Sequence, residues 1–350
     1  MQDIKKLPLP SHYDAEIVGE VWRVNYHDRA ADARDWSKQQ AVPPASSDEL
    51  KIALLLIDLQ NTFCIPGFEL FVAGRSGVAA VEDNRRLCEF IYRNLGSITS
   101  IQVTLDTHRA MQIFHPVYLI NAEGEHPAAL TMVSYDDVRK GRWRFNPLVA
   151  ESLGVTAEQG QEQLLHYARK LEEQGKYELT IWPYHAMLGG IGHALVAAVE
   201  EALFFHTIAR STQPSIMIKG EYPNTESYSA IGPEVLLGMD GQPIASKDRS
   251  FLQAVIEHDM LVVAGQAKSH CVASTVSDLL EGILEHDPQL VQKIYLLEDC
   301  TSPVVVPGLV DFSDQADQAY SEFAAAGMHL IRSADPLEEW PGVEGLITPA

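Results

Sequence analysis

Cys271 lies in the run Gln266-Ala-Lys-Ser-His-Cys271-Val. It is of the residue type that attacks carbonyl carbon, because a thiolate is a strong nucleophile near neutral pH. Asp58 follows Leu-Leu-Ile, and Lys219 ends Ser-Ile-Met-Ile. A carboxylate within reach can accept a thiol proton and return it to a leaving amine, and a neighbouring ammonium favours the thiolate. Singly, each residue has a plainer reading: Asp58 as a helix cap or turn residue, Lys219 as a solvated cation, Cys271 as a core thiol. Jointly, Asp58, Lys219 and Cys271 make a nucleophilic triad.

A second group is Asp106-Thr-His108, followed by His115 and by His185 in Trp182-Pro-Tyr-His185. Alternate residues of a strand share a face, so Asp106 and His108 can point at one ion. His185 would complete a two-histidine, one-carboxylate metal site, with His115 as a further candidate. His193, His206 and His258 read as core or surface imidazoles.

Both groups depend on strands to place them. Ile52–Ile57 reads as a buried strand ending at Asp58, and 98–105 as a second ending at Asp106. Further strands are expected over 215–219, 260–264, 291–297 and 328–331, with helical periodicity over 83–95, near 191–210, and after Cys271 through Val272, Val276, Leu279 and Ile283. Alternating strands and helices imply an α/β, Rossmann-like three-layer fold with a six-stranded, mostly parallel sheet. Ligands then bind outside the carboxyl ends of the strands, where the reactive residues fall. Residues 117–180 break the rhythm and read as an insertion. It contains a helix near 157–174, opened by a Thr156–Gln159 capping box and closed by Gly175.

The division expected is an N-terminal extension over 1–50, a main α/β domain over 51–335 including the insertion, and a C-terminal tail over 336–350. Tyr13, Trp22, Tyr26 and Trp36 argue that the extension packs on the rest, and 41–48 reads as a linker. The 350 residues are 46% apolar and 21% charged, ordinary values for a folded chain. With 26 basic and 48 acidic residues the net charge is −22, a field that repels phosphate and so disfavours nucleic acid and anionic membranes. No apolar run approaches the ~18 residues of a membrane span, and the N-terminus has no apolar leader core. Cys64, Cys88, Cys271 and Cys300 form no CxxC pair and read as reduced thiols of a cytoplasmic protein.

The segments around Asp58, Asp106-Thr-His108, Trp182-Pro-Tyr-His185, Lys219-Gly and Gly265-Gln-Ala-Lys-Ser-His-Cys271 together resemble the nicotinamidase branch of the isochorismatase-like cysteine hydrolases, in that family's order. The resemblance spans roughly residues 51–300. It implies Asp58, Lys219 and Cys271 as catalytic residues and Asp106, His108 and His185 as metal ligands, with His115 a weaker match. It implies Phe63 and Trp182 as aromatic walls for a pyridine ring, and groups Gln266 with the substrate-binding residues. The Gln266–Ala267 bond matches a peptide that is cis in the family, and the Ala267 and Cys271 N–H groups match its oxyanion hole. The implied cofactor is a divalent metal, zinc by family default, with iron(II) or manganese(II) as alternatives. The implied reaction is nicotinamide hydrolysis in NAD salvage, through a cysteine thioester, by a homo-oligomer.

Three departures bear on the substrate. The first 50 residues lie outside the usual compact domain, the stretch between His108 and His185 is long for the family, and Ala186 stands where many relatives have Cys. Another small amide, such as an N-carbamoyl compound or a larger carboxamide, is therefore the alternative substrate. A non-haem iron oxygenase and a non-catalytic binding protein are the alternatives of other classes.

Overall fold

The computed structural model describes residues 5–174, 177–244, 247–248 and 250–347. Six strands among them form one sheet: β1 (Ile52–Ile57), β2 (Ile98–Asp106), β3 (Ser215–Lys219), β4 (Met260–Gly265), β5 (Ile294–Leu297) and β6 (His329–Ile331). The spatial order is β6-β5-β4-β1-β2-β3, and every neighbouring pair is parallel. The sheet expected as mostly parallel is therefore wholly so. This is the doubly wound order, whose winding reverses between β1 and β4 and opens a crevice at their carboxyl ends.

β1 has both faces covered. Ile52, Leu54 and Leu56 enter one apolar layer with Leu87, Phe90 and Ile91 of α2 (Ala79–Arg93) and Phe205 of α4 (Ala197–Arg210). Ala53, Leu55 and Ile57 enter the other with Val276, Leu279 and Ile283 of α5 (Ala273–His286) and Tyr320 and Phe323 of α6 (Ser313–Ala326). The N-terminal segment, with α1 (Tyr26–Gln40), lies on the first layer. Trp36 meets Phe205 at 5.5 Å between ring centroids, and Tyr13 meets Tyr92 at 5.4 Å.

A third apolar cluster lies between β2 and α4. It gathers Phe114, Tyr118, Phe145 and Trp182 with Leu164, Tyr167 and Leu171 of α3 (Ala157–Glu173). The Thr156–Gln159 capping box opens that helix as expected, while Gly175 lies outside the described residues. Some boundaries move. α4 starts at Ala197 because the preceding residues pair with the loop after β1, through Asn61 N–H to Ala194 O and Thr62 N–H to Gly192 O. Residues Val291 to Lys293 form a 3-10 turn before β5. No helix of the described residues is long and apolar enough to cross a membrane.

Candidate active site and metal centre

The carboxyl ends of β1 to β4 bring the triad together. Asp58, just past β1, has φ of 50°, a left-handed conformation uncommon for a non-glycine residue. Its Oδ1 accepts from Thr104 Oγ1 at 2.6 Å, and its Oδ2 stands 3.0 Å from Lys219 Nζ. Asp106 and Lys219 are register partners on adjacent parallel strands, so the pleat sets their side chains side by side. Lys219 Nζ donates to Asp106 Oδ1 at 2.9 Å and to the Ser227 carbonyl at 2.9 Å, and stands 3.5 Å from Cys271 Sγ. Cys271 lies in a turn of π-helix, Lys268–Val272, that leads into α5. β1 and β4 are tightly paired at their carboxyl ends: a Cβ on Gly265, where φ is 137°, would lie 2.1 Å from Ile57 O.

Electrostatics follow from this packing. Burial works against the Lys219 charge, but Asp106, Asp58 and Cys271 outweigh it and hold the ammonium well above its ordinary pKa. Burial raises the Asp58 carboxyl despite Lys219. Burial also holds the Cys271 thiol well above its usual range, with Lys219 pulling it down and Asp58 pushing it up. This balance favours the thiol over the thiolate at Cys271.

Beside the triad, donor atoms of Asp106, His108 and His185 all lie within 4.8 Å of one another, and all three residues are buried. His108 Nε2 is 2.7 Å and His185 Nε2 3.6 Å from Asp106 Oδ2. The opposite nitrogens fix the tautomers. His108 Nδ1 meets Gly220 O at 3.2 Å, His185 Nδ1 meets Pro183 O at 2.7 Å, and His115 Nδ1 meets the Arg109 and Ala110 carbonyls at 3.1 and 3.2 Å. A carbonyl only accepts, so each Nδ1 carries a proton, and Nε2 is the atom each ring could turn to a cation. Burial lowers the His185 pKa, and burial, His185 and His108 push His115 down to about 3. His115 stands outside the tight group, its ring centroid 5.8 Å from those of His108 and His185, and its buried Nε2 has no hydrogen-bond partner. Imidazole lone pairs gathered around a carboxylate, with their far nitrogens anchored on carbonyls, suit a divalent cation. Burial opposes the Asp106 charge, but His108 and Lys219 outweigh it and hold that carboxyl well below its usual range.

Both groups open into one cavity of about 440 Å³, lined by Asp106, His108, His185, Lys219, Ala267 and Cys271. Phe63 and Trp182 are among its lining residues. The Gln266–Ala267 peptide is cis. Gln266 itself is not among the lining residues. Its fully buried side chain donates to Asp83 Oδ2 at 2.8 Å and accepts from Ser302 N–H at 3.2 Å, so it holds the loop after β4 in place. His206 sits on Ile98 O, His258 on Ser100 Oγ and His193 on Thr107 Oγ1, all outside the cavity lining. Cys64, Cys88, Cys271 and Cys300 are free and buried.

Four residues at the site escaped sequence reasoning. Gln60 clasps the ends of β1 and β2: its Nε2 donates to Asp106 O and its Oε1 accepts from Asp106 N–H, both at 2.8 Å. The signal was its place two residues after Asp58, on the same alternation. His270, next to Cys271, lines the cavity and is neutral, pushed down to about 4 by burial. Glu226 and Tyr228 also line it, from an irregular loop between β3 and β4 that carries no periodicity to read.

No family model matches the sequence, and no curated protein matches it. Solved structures do resemble it. A nicotinamidase/pyrazinamidase from Acinetobacter baumanii is 19% identical with a TM-score of 0.46, over 82% of this chain and 98% of that one. The yeast nicotinamidase bound to the inhibitor nicotinaldehyde is 16% identical with a TM-score of 0.48, over 80% and 99%. A pyrazinamidase of Pyrococcus horikoshii in complex with zinc is 17% identical with a TM-score of 0.41, over 80% and 98%. At these identities and TM-scores the likeness carries neither a family nor an activity across. By its own strand order and layering, the chain has a doubly wound, three-layer α/β fold.

Proposed function

We propose that the chain is a metal-containing cysteine amidohydrolase that converts a small carboxamide into its carboxylate and ammonia, with nicotinamide the first substrate to test. The observation that carries this reading is the position of one buried ammonium. Lys219 Nζ is at once 3.0 Å from Asp58, 2.9 Å from Asp106 and 3.5 Å from Cys271. A base, a nucleophile and a carboxylate of the metal group thus share one cation at the mouth of the sheet.

In this reading the amide lies between Phe63 and Trp182. The Cys271 proton passes to Asp58 as Sγ bonds to the carboxamide carbon, and Lys219 balances the negative charge. The Ala267 and Cys271 N–H groups receive the developing oxyanion, a contribution worth ~3 kcal/mol per donor in comparable sites. The C–N bond breaks as Asp58 returns the proton to nitrogen, releasing ammonia and leaving a thioester. Asp58 then takes a proton from an attacking water, the C–S bond breaks, and the thiol is restored with the acid released. Asp106, His108 and His185 would hold the cation, with His115 beside them. Such an ion supplies a fixed positive charge that can orient and polarise a ring nitrogen.

The test is ammonia release from nicotinamide by metal-replete protein, wild type beside Cys271→Ala. Release that disappears in the variant with its metal content intact supports the reading. Turnover by Cys271→Ala refutes the nucleophile. No release by folded, metal-loaded wild type moves the substrate to another amide, such as an N-carbamoyl compound or a larger carboxamide. A cavity of about 440 Å³ falls in the ~300–1,000 Å³ range of pockets for drug-sized ligands, which favours the larger carboxamide as the second reading.

A further inference from the structure

We propose that Glu226 is a specificity-determining residue, which selects amide substrates carrying an amino or other cationic nitrogen away from the scissile carbon. The proposal rests on the amidohydrolase reading above and names a substrate class for the same cavity. Glu226 is 3% exposed and lines the cavity that also holds Cys271. Its Oε1 accepts from Tyr228 Oη at 2.7 Å and its Oε2 from Tyr167 Oη at 2.8 Å. Tyr167, fully buried on α3, also accepts from the Glu226 N–H at 3.0 Å, so both ends of the residue are fixed. Tyr228 Oη in turn accepts from Trp182 Nε1 at 3.0 Å, which ties the acid to the aromatic wall.

Two neutral hydroxyl donors do not exhaust a carboxylate, which offers about four acceptor positions. Among the described residues no Lys, Arg or His forms an ion pair with it. Burial pushes the group up to about 7, with the Tyr228 and Tyr167 bonds pulling down and the Glu234 carboxylate pushing further up. A buried acid in that balance gains most from a donor that carries positive charge. The surroundings agree. Burial pushes His270 down to about 4, so it repels no cation, and the aromatic residues Trp182 and Tyr228 line the same cavity. The net charge of −22 draws cations toward the chain. The acid is also held near the chemistry, because Lys219 Nζ donates to the carbonyl of Ser227, the next residue.

The experiment compares nicotinamide with pyridine-3-carboxamides carrying an aminomethyl group at each free ring position, using the metal-replete full chain. Ammonia release gives kcat and KM for each. At least one aminated amide is expected to exceed nicotinamide in kcat/KM by about tenfold or more, through KM. Glu226→Gln should collapse that ratio, and Tyr167→Phe, which removes a bond that holds Oε2 in place and favours the carboxylate, should reduce it. Melting curves separate a folding defect from a change of selectivity, and Tyr167→Phe carries the test if Glu226→Gln does not fold. A ratio near one in wild type, or a ratio unmoved in both folded variants, overturns the proposal and leaves the amidohydrolase reading standing. If no amide is hydrolysed, that reading fails instead. Calorimetric binding of the same panel to Cys271→Ala then decides the proposal, which stands only if an aminated amide binds more tightly.

Discussion

Asp106 and Lys219 face each other as register partners on β2 and β3, with Oδ1 and Nζ 2.9 Å apart. The pair joins two sites that the sequence presents separately. Asp106 belongs to the metal group, while Lys219 also reaches Asp58 and Cys271. Removing the ammonium leaves two carboxylates buried without their shared cation. Lys219→Met should therefore destabilise the fold by ~3–5 kcal/mol. It should also lower ammonia release by roughly 10⁴-fold, as loss of a triad member does elsewhere. Denaturant melts and turnover check both. A variant as stable as wild type would show that Lys219 does not hold the two acids together.

The metal group makes a prediction independent of turnover. An ion that binds only the native state stabilises it by about 2.7 kcal/mol at a hundredfold excess over its Kd. Zinc added to metal-stripped wild type should raise its Tm. His185→Ala removes a donor of the tight group and should abolish most of that rise, whereas His115→Ala, outside the group, should leave more of it. Equal responses from wild type and His185→Ala would take His185 off the ligand set.

Gly220 separates a local clash from a backbone effect. Its φ is 86°, and a Cβ there would lie 2.7 Å from His108 Cε1 and 2.8 Å from Asp106 Oδ1. Gly124 has φ of 84° and nothing within 4 Å of its would-be Cβ. Both Ala substitutions carry a backbone penalty on the order of 1 kcal/mol. Only Gly220→Ala should also displace metal ligands and lower metal content and turnover. If elemental analysis finds full metal in Gly220→Ala, the approach of Gly220 to the ligands is not tight in solution.

The parts of the site legible in the sequence are those set by period-two geometry at strand ends. Asp58, Asp106 and Lys219 follow or close apolar runs, and Asp-x-His places two candidate ligands on one face. β1 was legible because a strand buried on both faces is apolar throughout. Glu226 was not, because its meaning lies in Tyr167, 59 positions away on a helix of the third cluster. The Gln266 side chain bonds to Asp83, outside the cavity lining, and no local pattern shows that partner 183 positions away. The start of α4 was drawn too early because Gly192 and Ala194 spend their carbonyls on the loop after β1, a tertiary partner invisible to helical periodicity.

Glu226 also leaves a mark on stability. Burial raises its carboxyl from an ordinary 4.5 to about 7 in the folded chain. Between those values the native state holds a proton that the unfolded state has released. The stabilisation linked to that proton is complete below 4.5 and is lost as pH rises through 7. The full change is on the order of 3 kcal/mol. Glu226→Gln keeps the shape and has nothing to titrate, so its stability should lack this fall. Glu201, also raised to about 7, and His12, His206 and His270, each lowered to about 4, titrate alike in both proteins and drop out of the difference. Denaturant melts of the two proteins at about pH 5 and pH 8 measure it. The variant should gain on wild type as pH rises. Parallel stability curves would mean that Glu226 is ionised across this range and keeps its charge inside the cavity.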